Sequence, residues 1–372
     1  MKSLKLLILF LISFNAFGFD TPYILRSPRG LLMGDAFTAV NDDGYTLFYN
    51  PASMARHKSD FTLYPLNAQI SGSNILSDMD RFKDFPDTPT GVADVMMDYP
   101  AHASAGVAPG FKLFNFGVNF IANESFDALL RNKAQPMLDL DLRSDKGVVF
   151  GMGLPIGPNR LNRKSLMGSQ TSLGLSAKYI ERTGVIDTMA LIGPTVVDSL
   201  GQDELNDLLK SLGRVKGVGW GFDAGIEHVV RHGNSQFIMG LSALDIGGTE
   251  FKVDKNPDNL KVASSRDQVN FGIAGGQDFK IFHYILSADV RSLNEEMEFG
   301  KRMRFGVELG IPGISLLAGI NSGYYSYGAQ FDIGFMKLMG GFYDMELGSR
   351  YKQVKSRRFV VTLSLFDFSF DA

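Results

Sequence analysis

From Phe114 to Phe120 the chain alternates without a break, with Phe114, Phe116, Val118 and Phe120 on one parity and Asn115, Gly117 and Asn119 on the other. Side chains two apart on an extended strand share a face, so this period makes one greasy face and one small or polar face. The pattern returns in Val148, Phe150, Met152 and Leu154 against Gly151 and Gly153, and in Leu173, Leu175, Ala177 and Tyr179 against Gly174, Ser176 and Lys178. It continues in Val218, Trp220, Phe222, Ala224 and Ile226 against Gly219, Gly221, Asp223, Gly225 and Glu227. A soluble β-sandwich alternates too. Charges on the non-greasy parity favour a sheet whose greasy face meets lipid and whose other face lines a polar lumen.

The N-terminus supports that choice. Lys2 and Lys5 precede an apolar run from Leu6 to Ile12, and Ala16-Phe17-Gly18 is a small-x-small cleavage pattern, the layout of a secretory signal peptide over residues 1–18. The run is well short of the roughly 18 to 20 apolar residues of a spanning helix, and no other run reaches that length. The expected location is therefore the outer membrane, with outer-membrane lipids as partners of the greasy face. Once Lys2 and Lys5 leave with the signal, 37 basic residues fall further behind 40 acidic ones, and no nucleic-acid footprint remains. The chain has no cysteine, which excludes disulfides, thiolate metal sites and cysteine nucleophiles. No metal or cofactor site is expected.

Runs that read as strands fall near 61–70, 101–108, 113–122, 147–156, 170–181, 218–230 and 236–246, then near 267–276, 282–290, 302–309, 314–321, 325–333, 336–346 and 358–368. The count is even, as bacterial single-chain barrels require, and the fold class is an all-β transmembrane antiparallel barrel of about fourteen strands over residues 59–372. Pro109 to Lys112, Arg231 to Ser235, Asp278 to Ile281 and Ile311-Pro312-Gly313 have the composition of short turns. Connections 71–100, 123–146, 182–217, 247–266 and 291–301 then fall together on the opposite, extracellular side. The 157–169 link is long for a periplasmic turn. In 137–143, Leu138, Leu140 and Leu142 alternate with Asp139 and Asp141, which suits a loop hairpin or a strand extension.

Two of the long loops carry apolar periodicity. Ile75, Leu76, Met79, Phe82 and Phe85 recur at nearly helical spacing, and Val92, Val95, Met96 and Met97 follow. Met79, Phe82, Phe85, Val95 and Met96 are the candidate landing site for a hydrophobic ligand at the barrel mouth; a short helix packed on the rim accounts for the same spacing. Leu205, Leu208, Leu209 and Leu212 mark another short amphipathic helix, with Ser199 or Asp203 as N-cap and Gly213 as a stop.

Ahead of the first strand stands Arg29-Gly30-Leu31-Leu32-Met33-Gly34-Asp35-Ala36-Phe37-Thr38-Ala39-Val40-Asn41-Asp42-Asp43, and then Leu47-Phe48-Tyr49-Asn50-Pro51-Ala52-Ser53-Met54. This resembles the N-terminal segment of the FadL-like superfamily of outer-membrane proteins, including its PorV-like branch, in which a glycine-Ala-Phe-x-Ala run, an Asp pair and an Asn-Pro-Ala box precede the barrel. Phrases at Leu173 to Ile180, Phe222 to Gly225 and Met239 to Gly248 fit the PorV-like branch, and the resemblance spans roughly 26–280. It implies a fourteen-stranded barrel whose N-terminal segment, residues 19–58, folds into the lumen as a hatch. Gly34, Phe37, Asp42, Asp43, Phe48, Tyr49, Asn50 and Pro51 are its candidate gating residues: glycine for tight turns, aromatics for packing, and Asn50-Pro51 for the turn into the first strand. The same residues equally suit a purely structural plug.

Chemistry finds little support. His102-Ala103-Ser104 puts a histidine and a serine on one strand face, but no third residue can be assigned to orient the histidine, and the pair faces the lumen. His228 and His232 have metal spacing only on a helix, and Gly217 to Gly221 lacks a strand-then-helix context. The expectation is a non-enzyme. The leading reading is a passive conduit or binder of hydrophobic small molecules. A non-conducting shuttle or scaffold for secreted polypeptides or lipids, with a secreted protein partner, and a structural β-protein of the envelope are the alternatives.

Overall fold

The computed structural model describes residues 23–56, 61–83, 89–132, 137–157, 161, 167–190, 215–253 and 262–370. The signal peptide, Phe85 and the helix expected at 203–212 lie outside the described residues. No helix among those described is long and apolar enough to cross a membrane.

Fourteen antiparallel strands close into a barrel. They are β1 (Phe61–Tyr64 continued as Leu66–Ser73), β2 (Pro100–Val107 continued as Gly110–Leu113), β3 (Phe116–Arg131), β4 (Met137–Ile156), β5 (Met167–Ala190), β6 (Val215–His232) and β7 (Ser235–Leu244). The second half holds β8 (Gln268–Phe279), β9 (Phe282–Val290), β10 (Met303–Ile311), β11 (Ile314–Asn321), β12 (Tyr324–Asp332), β13 (Met336–Glu346) and β14 (Lys355–Leu365 continued as Phe368–Phe370). Each strand pairs with its neighbour in sequence, and β14 returns to β1 through Arg358↔Ser73 to Leu365↔Leu66 and Phe61↔Phe370. Closure leaves no free sheet edge, which is the only way a sheet can sit in lipid with its backbone groups satisfied. The interruptions in β1 and β2 fall at Pro65 and at Ala108-Pro109, where proline has no N–H to give the ladder.

Two expectations need correction. Residues Pro109 to Lys112 are not a turn: Gly110–Leu113 pairs with Phe116 to Asn119, and the reversal comes at Phe114-Asn115, with Phe114 at φ 51°. A proline breaks one ladder bond without ending the strand. Nor is 123–146 a long loop, because β3 runs to Arg131 and β4 starts at Met137, paired throughout. The Leu/Asp alternation of 137–143 is thus a strand extension, and 182–190 likewise belongs to β5. Turns at 233–234, 280–281 and 312–313 fall where composition placed them.

A tilted strand crosses the hydrocarbon layer in about 10 residues. Strands β4 and β5, of 20 and 24 residues, therefore project well past it on the loop side, while β9 to β12 have 8 or 9 residues. The 74–99 connection on that side carries the short helices α2 (Met79–Phe82) and α3 (Pro89–Met96). The core lies inside the barrel. Of its largest fully buried side chains, Tyr49, Phe37, Leu32, Met33, Leu47 and Met54 all come from the segment ahead of β1.

Candidate functional site

On β6, Trp220 and Phe222 are more than half exposed while Asp223 and Glu227, on the opposite parity of the same strand, are 2% and 1% exposed. The same inversion runs around the barrel: Phe116, Phe120, Leu175, Leu316 and Tyr327 are exposed, and Lys178, Arg182, Asp289 and Arg358 are buried. A water-soluble protein buries apolar groups and exposes charges; a continuous greasy band outside a charged interior needs lipid around it. The chain is an outer-membrane β-barrel.

The barrel's lumen is occupied by residues 23–56. Ser27 accepts from the Gly30 N–H and starts helix α1 (Pro28–Leu32), with Pro28 in its first turn. The chain then reverses through Gly34 and Asp35, both left-handed at φ 64° and 60°. Asp43 closes the segment on itself: Oδ1 accepts from Tyr45 N at 2.8 Å and Oδ2 from Ser27 Oγ at 2.5 Å. Asn50 caps the 3₁₀ turn Pro51–Arg56 by accepting from Ala52 N at 3.1 Å, and its amide donates to the Ile226 carbonyl of β6 at 3.3 Å. Phe37 packs edge-on against Tyr49 at 5.1 Å, and the Tyr49 hydroxyl donates to Asp35 at 3.0 Å. Phe48 is buried beside Tyr45, with ring centroids 6.1 Å apart, and the eight candidate gating residues all belong to this one folded segment. Asp42 is the more exposed member and pairs with Arg29.

Two kinds of contact join this segment to the wall. Where its backbone touches the barrel, the strand residue is glycine: a Cβ on Gly319 would strike Met33 and Gly34, one on Gly174 would strike Pro51 and Ala52, and one on Gly153 would strike Ala52 and Ala55. The small parity of the alternating runs is therefore a seat for the segment. Charged wall residues supply the second kind. Asp289 Oδ2 accepts from Phe37 N and Thr38 N at 2.9 and 2.8 Å, Arg29 reaches Glu308 at 2.6 Å, and Glu227 holds Ser53 at 2.5 Å and Arg56 at 3.3 Å. Lys112 donates to Asp43 O and Thr46 Oγ1 at 2.8 and 2.9 Å. Burial by itself would raise the Asp35 carboxyl, but Arg291 at 3.2 Å, Arg26 at 3.4 Å, Arg304 and the Tyr49 hydroxyl outweigh it and hold it below its ordinary range. Asp43 is pushed up by burial, against its bond from Ser27 and the Arg29 charge.

Space remains on both sides of the segment. A cavity of 440 Å³ opens toward the short turns, lined by Arg29, Asp42, Asp43, Tyr45, His283 and Lys337 among others. A smaller one of 90 Å³ lies toward the loops, with Tyr23, His102, Ser104, Arg143, Tyr343 and Arg358 in its lining. Of the candidate ligand-landing residues, Met79 on α2 is more than half exposed, and Val95 and Met96 on α3 are partly buried. The Phe82 side chain and Phe85 lie outside the description. Arg81 ties the two helices by donating to Met97 O at 2.8 Å.

One charged group escaped the sequence reading. His102 stands opposite Asp127 in the β2–β3 register, with Nδ1 2.8 Å from Asp127 Oδ1, and Arg358 reaches the same carboxylate at 2.7 Å. The missing orienting residue sits on a stretch of β3 taken for loop, so no spacing rule could have found it. His228 binds Thr171 Oγ1 at 2.8 Å, and the described residues hold no cluster of metal ligands.

No protein-family model and no curated protein matches the chain. Solved structures do. It is similar to a deltaS2 mutant of the monoaromatic hydrocarbon channel TodX, with a TM-score of 0.47 at 10% identity over 92% of this chain and 99% of that one. It is similar as well to the Ralstonia pickettii toluene transporter TbuX, at 0.45 and 10% over 92% and 98%. CdiB from Acinetobacter baumannii matches at 0.36 and 9% identity; the chain covers 60% of its length, with 82% of this chain aligned.

Proposed function

We propose that the protein is a passive outer-membrane conduit for small hydrophobic molecules, closed at rest by a hatch that comprises residues 19–58. The observation that carries this reading is the occupied lumen. A fourteen-stranded barrel encloses more space than its own side chains fill, and residues 23–56 fill it through wall glycines and polar ties. The segment is held by polar ties to charged wall groups, which water can replace at a net cost of about 1.5–3 kcal/mol each, and by an apolar cluster shared with Val149, Ile180 and Val360, so opening requires the segment to rearrange as a unit. Gly34, Phe37, Asp42, Asp43, Phe48, Tyr49, Asn50 and Pro51 are its gating residues. Exposed Ile75 and Met79 beside the loop-side mouth offer a greasy landing site together with partly buried Val95 and Met96, and Phe82 and Phe85 are its further candidate residues by sequence.

The test is uptake of a radiolabelled alkylbenzene by cells that do or do not produce the protein, with Met79→Asp as the landing-site variant. Faster uptake with the protein, reduced severalfold by the substitution, supports the conduit. A second reading is favoured by the long β3–β6 wall, which projects past the membrane as a surface for a secreted polypeptide or lipid. Unchanged uptake together with co-purification of a secreted polypeptide would replace the conduit by that shuttle.

A further inference from the structure

The loop-side cavity holds an arrangement that transport does not use. His102 and Ser104 lie on the lumen face of β2, and Asp127 faces His102 from β3. Asp127 Oδ1 is 2.8 Å from His102 Nδ1, and His102 Nε2 is 3.4 Å from Ser104 Oγ. This is the order of a serine nucleophile, its base and the carboxylate that orients the base, a constellation recognised by geometry and not by chain order. A nucleophile–base distance at the loose end is usual before substrate binds. The His102 and Asp127 side chains are almost completely buried, while Ser104 is half-buried on the cavity.

Arg358 decides whether the ring can act. Its Nη1 is 2.9 Å from His102 Nδ1, yet Nδ1 cannot both accept from Arg358 and donate to Asp127. The carboxylate is the stronger partner, and Arg358 is satisfied by Asp127 at 2.7 Å and Ser356 at 2.9 Å. With the proton on Nδ1, the Nε2 lone pair points at the Ser104 hydroxyl. Strand N–H groups here are spent in the ladder, so charge on a reacting oxygen falls to Arg143. That guanidinium lines the same cavity and is held by Asp141 at 2.8 and 2.6 Å.

We propose that Ser104, His102 and Asp127 form a hydrolytic site for short-chain acyl esters, reached from the loop side of the barrel. Ser104 Oγ bonds to the ester carbonyl carbon as its proton passes to His102 Nε2. The ester C–O bond then breaks, and His102 returns the proton to the departing alkoxide. Water adds to the acyl-serine carbonyl as His102 takes its proton; the acyl–Oγ bond then breaks, His102 returns the proton to Ser104 Oγ, and the carboxylic acid leaves. Asp127 positions the imidazole and touches no substrate. The 90 Å³ cavity beside Ser104 gives room for a small acyl group such as acetyl.

The experiment exposes the full-length, detergent-folded protein to an ethyl fluorophosphonate probe and locates the adduct by peptide mass; folding is scored by the change in gel mobility on boiling. The adduct is expected on Ser104, absent in Ser104→Ala and formed about 100-fold more slowly in His102→Gln, the lower end of what a general base contributes. Ser125→Ala, changing the serine paired with Ser104 across the ladder, should label as the parent does. Asp127→Asn should slow labelling and Asp127→Glu restore part of it. Folded parent protein that stays unlabelled, or an adduct that survives in Ser104→Ala, overturns the proposal. Both results leave the conduit reading untouched, since it is read by uptake.

Discussion

Deleting residues 26–52 is expected to leave an assembled barrel that leaks small polar solutes, with liposome swelling faster than for the intact protein by on the order of tenfold, because the emptied lumen is wider than its own side chains can fill. Assembly should survive, since every strand pairs with its neighbours and none of the ladder bonds comes from the deleted stretch. The deletion strips Asp289, Glu308 and Lys112 of their hatch partners, though Asp289 keeps Arg291 and Glu308 keeps His283, while Ser53 and Arg56, the partners of Glu227, stay in the chain. These groups are not left buried, because water takes the place of the hatch and solvates them. An orphaned charge is costly only where solvent cannot reach it. Asn50→Ala should do much less: it removes two hydrogen bonds worth about 1 kcal/mol each, while Phe37 and Tyr49 still pack. Intact protein as leaky as the deletion would mean that the segment does not seal the lumen, and a deletion that never assembles would make it part of the folding core.

Phe120→Arg is expected to block membrane assembly, whereas Asn119→Arg, one residue away, should assemble and leak. With its turn at 114–115, β3 reaches the middle of the bilayer near Phe120, which is more than half exposed on the lipid face. A lipid-facing cation there costs roughly 2–4 kcal/mol, and the cost falls to about 0–1 near the interfaces. Phe116, two residues from the turn, should therefore tolerate arginine better. Asn119 does not face lumen water: it is 3% exposed and donates to Gly44 O at 3.0 Å. A larger cation at that place pushes on the hatch and spares the ladder. Heat-modifiable mobility reads the first variant and solute leakage the second; equal assembly of both would contradict the assignment of faces.

What could be read in the residues alone follows from which forces leave a periodic trace. Within the bilayer the outward parity must be apolar, so Phe116, Val118 and Phe120 or Trp220 and Phe222 announce their strands. Past the bilayer that demand lapses. Glu124 and Lys146 then stand on the outward parity, and the extensions of β3, β4 and β5 looked like loops. The lumen segment was legible through its Asn-Pro-Ala box and glycines, whose roles are local: Asn50 caps the turn that Pro51 opens, and Gly34 reverses the chain. Its ties to the wall were not legible. Asp289 with Phe37, Glu227 with Ser53 and Lys112 with Asp43 join residues far apart in the chain, and only barrel closure brings them together. Asp127 beside His102 is hidden for the same reason.

The claim that residues 23–56 sit in the lumen is tested most directly by a cross-link. The chain has no cysteine, so a pair introduced as Thr38→Cys and Gly272→Cys has no competitor. A Cβ on Gly272 would lie 2.9 Å from that of Thr38, so the segment and the Asp289 side chain must give by somewhat under an ångström to reach the roughly 3.8 Å of a disulfide. The folded protein in outer membranes should form the bond on mild oxidation, seen as faster migration of the unboiled-then-denatured chain on a non-reducing gel and reversed by reductant. Absence of the bond in folded protein, with both cysteines open to a membrane-impermeant maleimide, would place the segment outside the barrel and contradict the account.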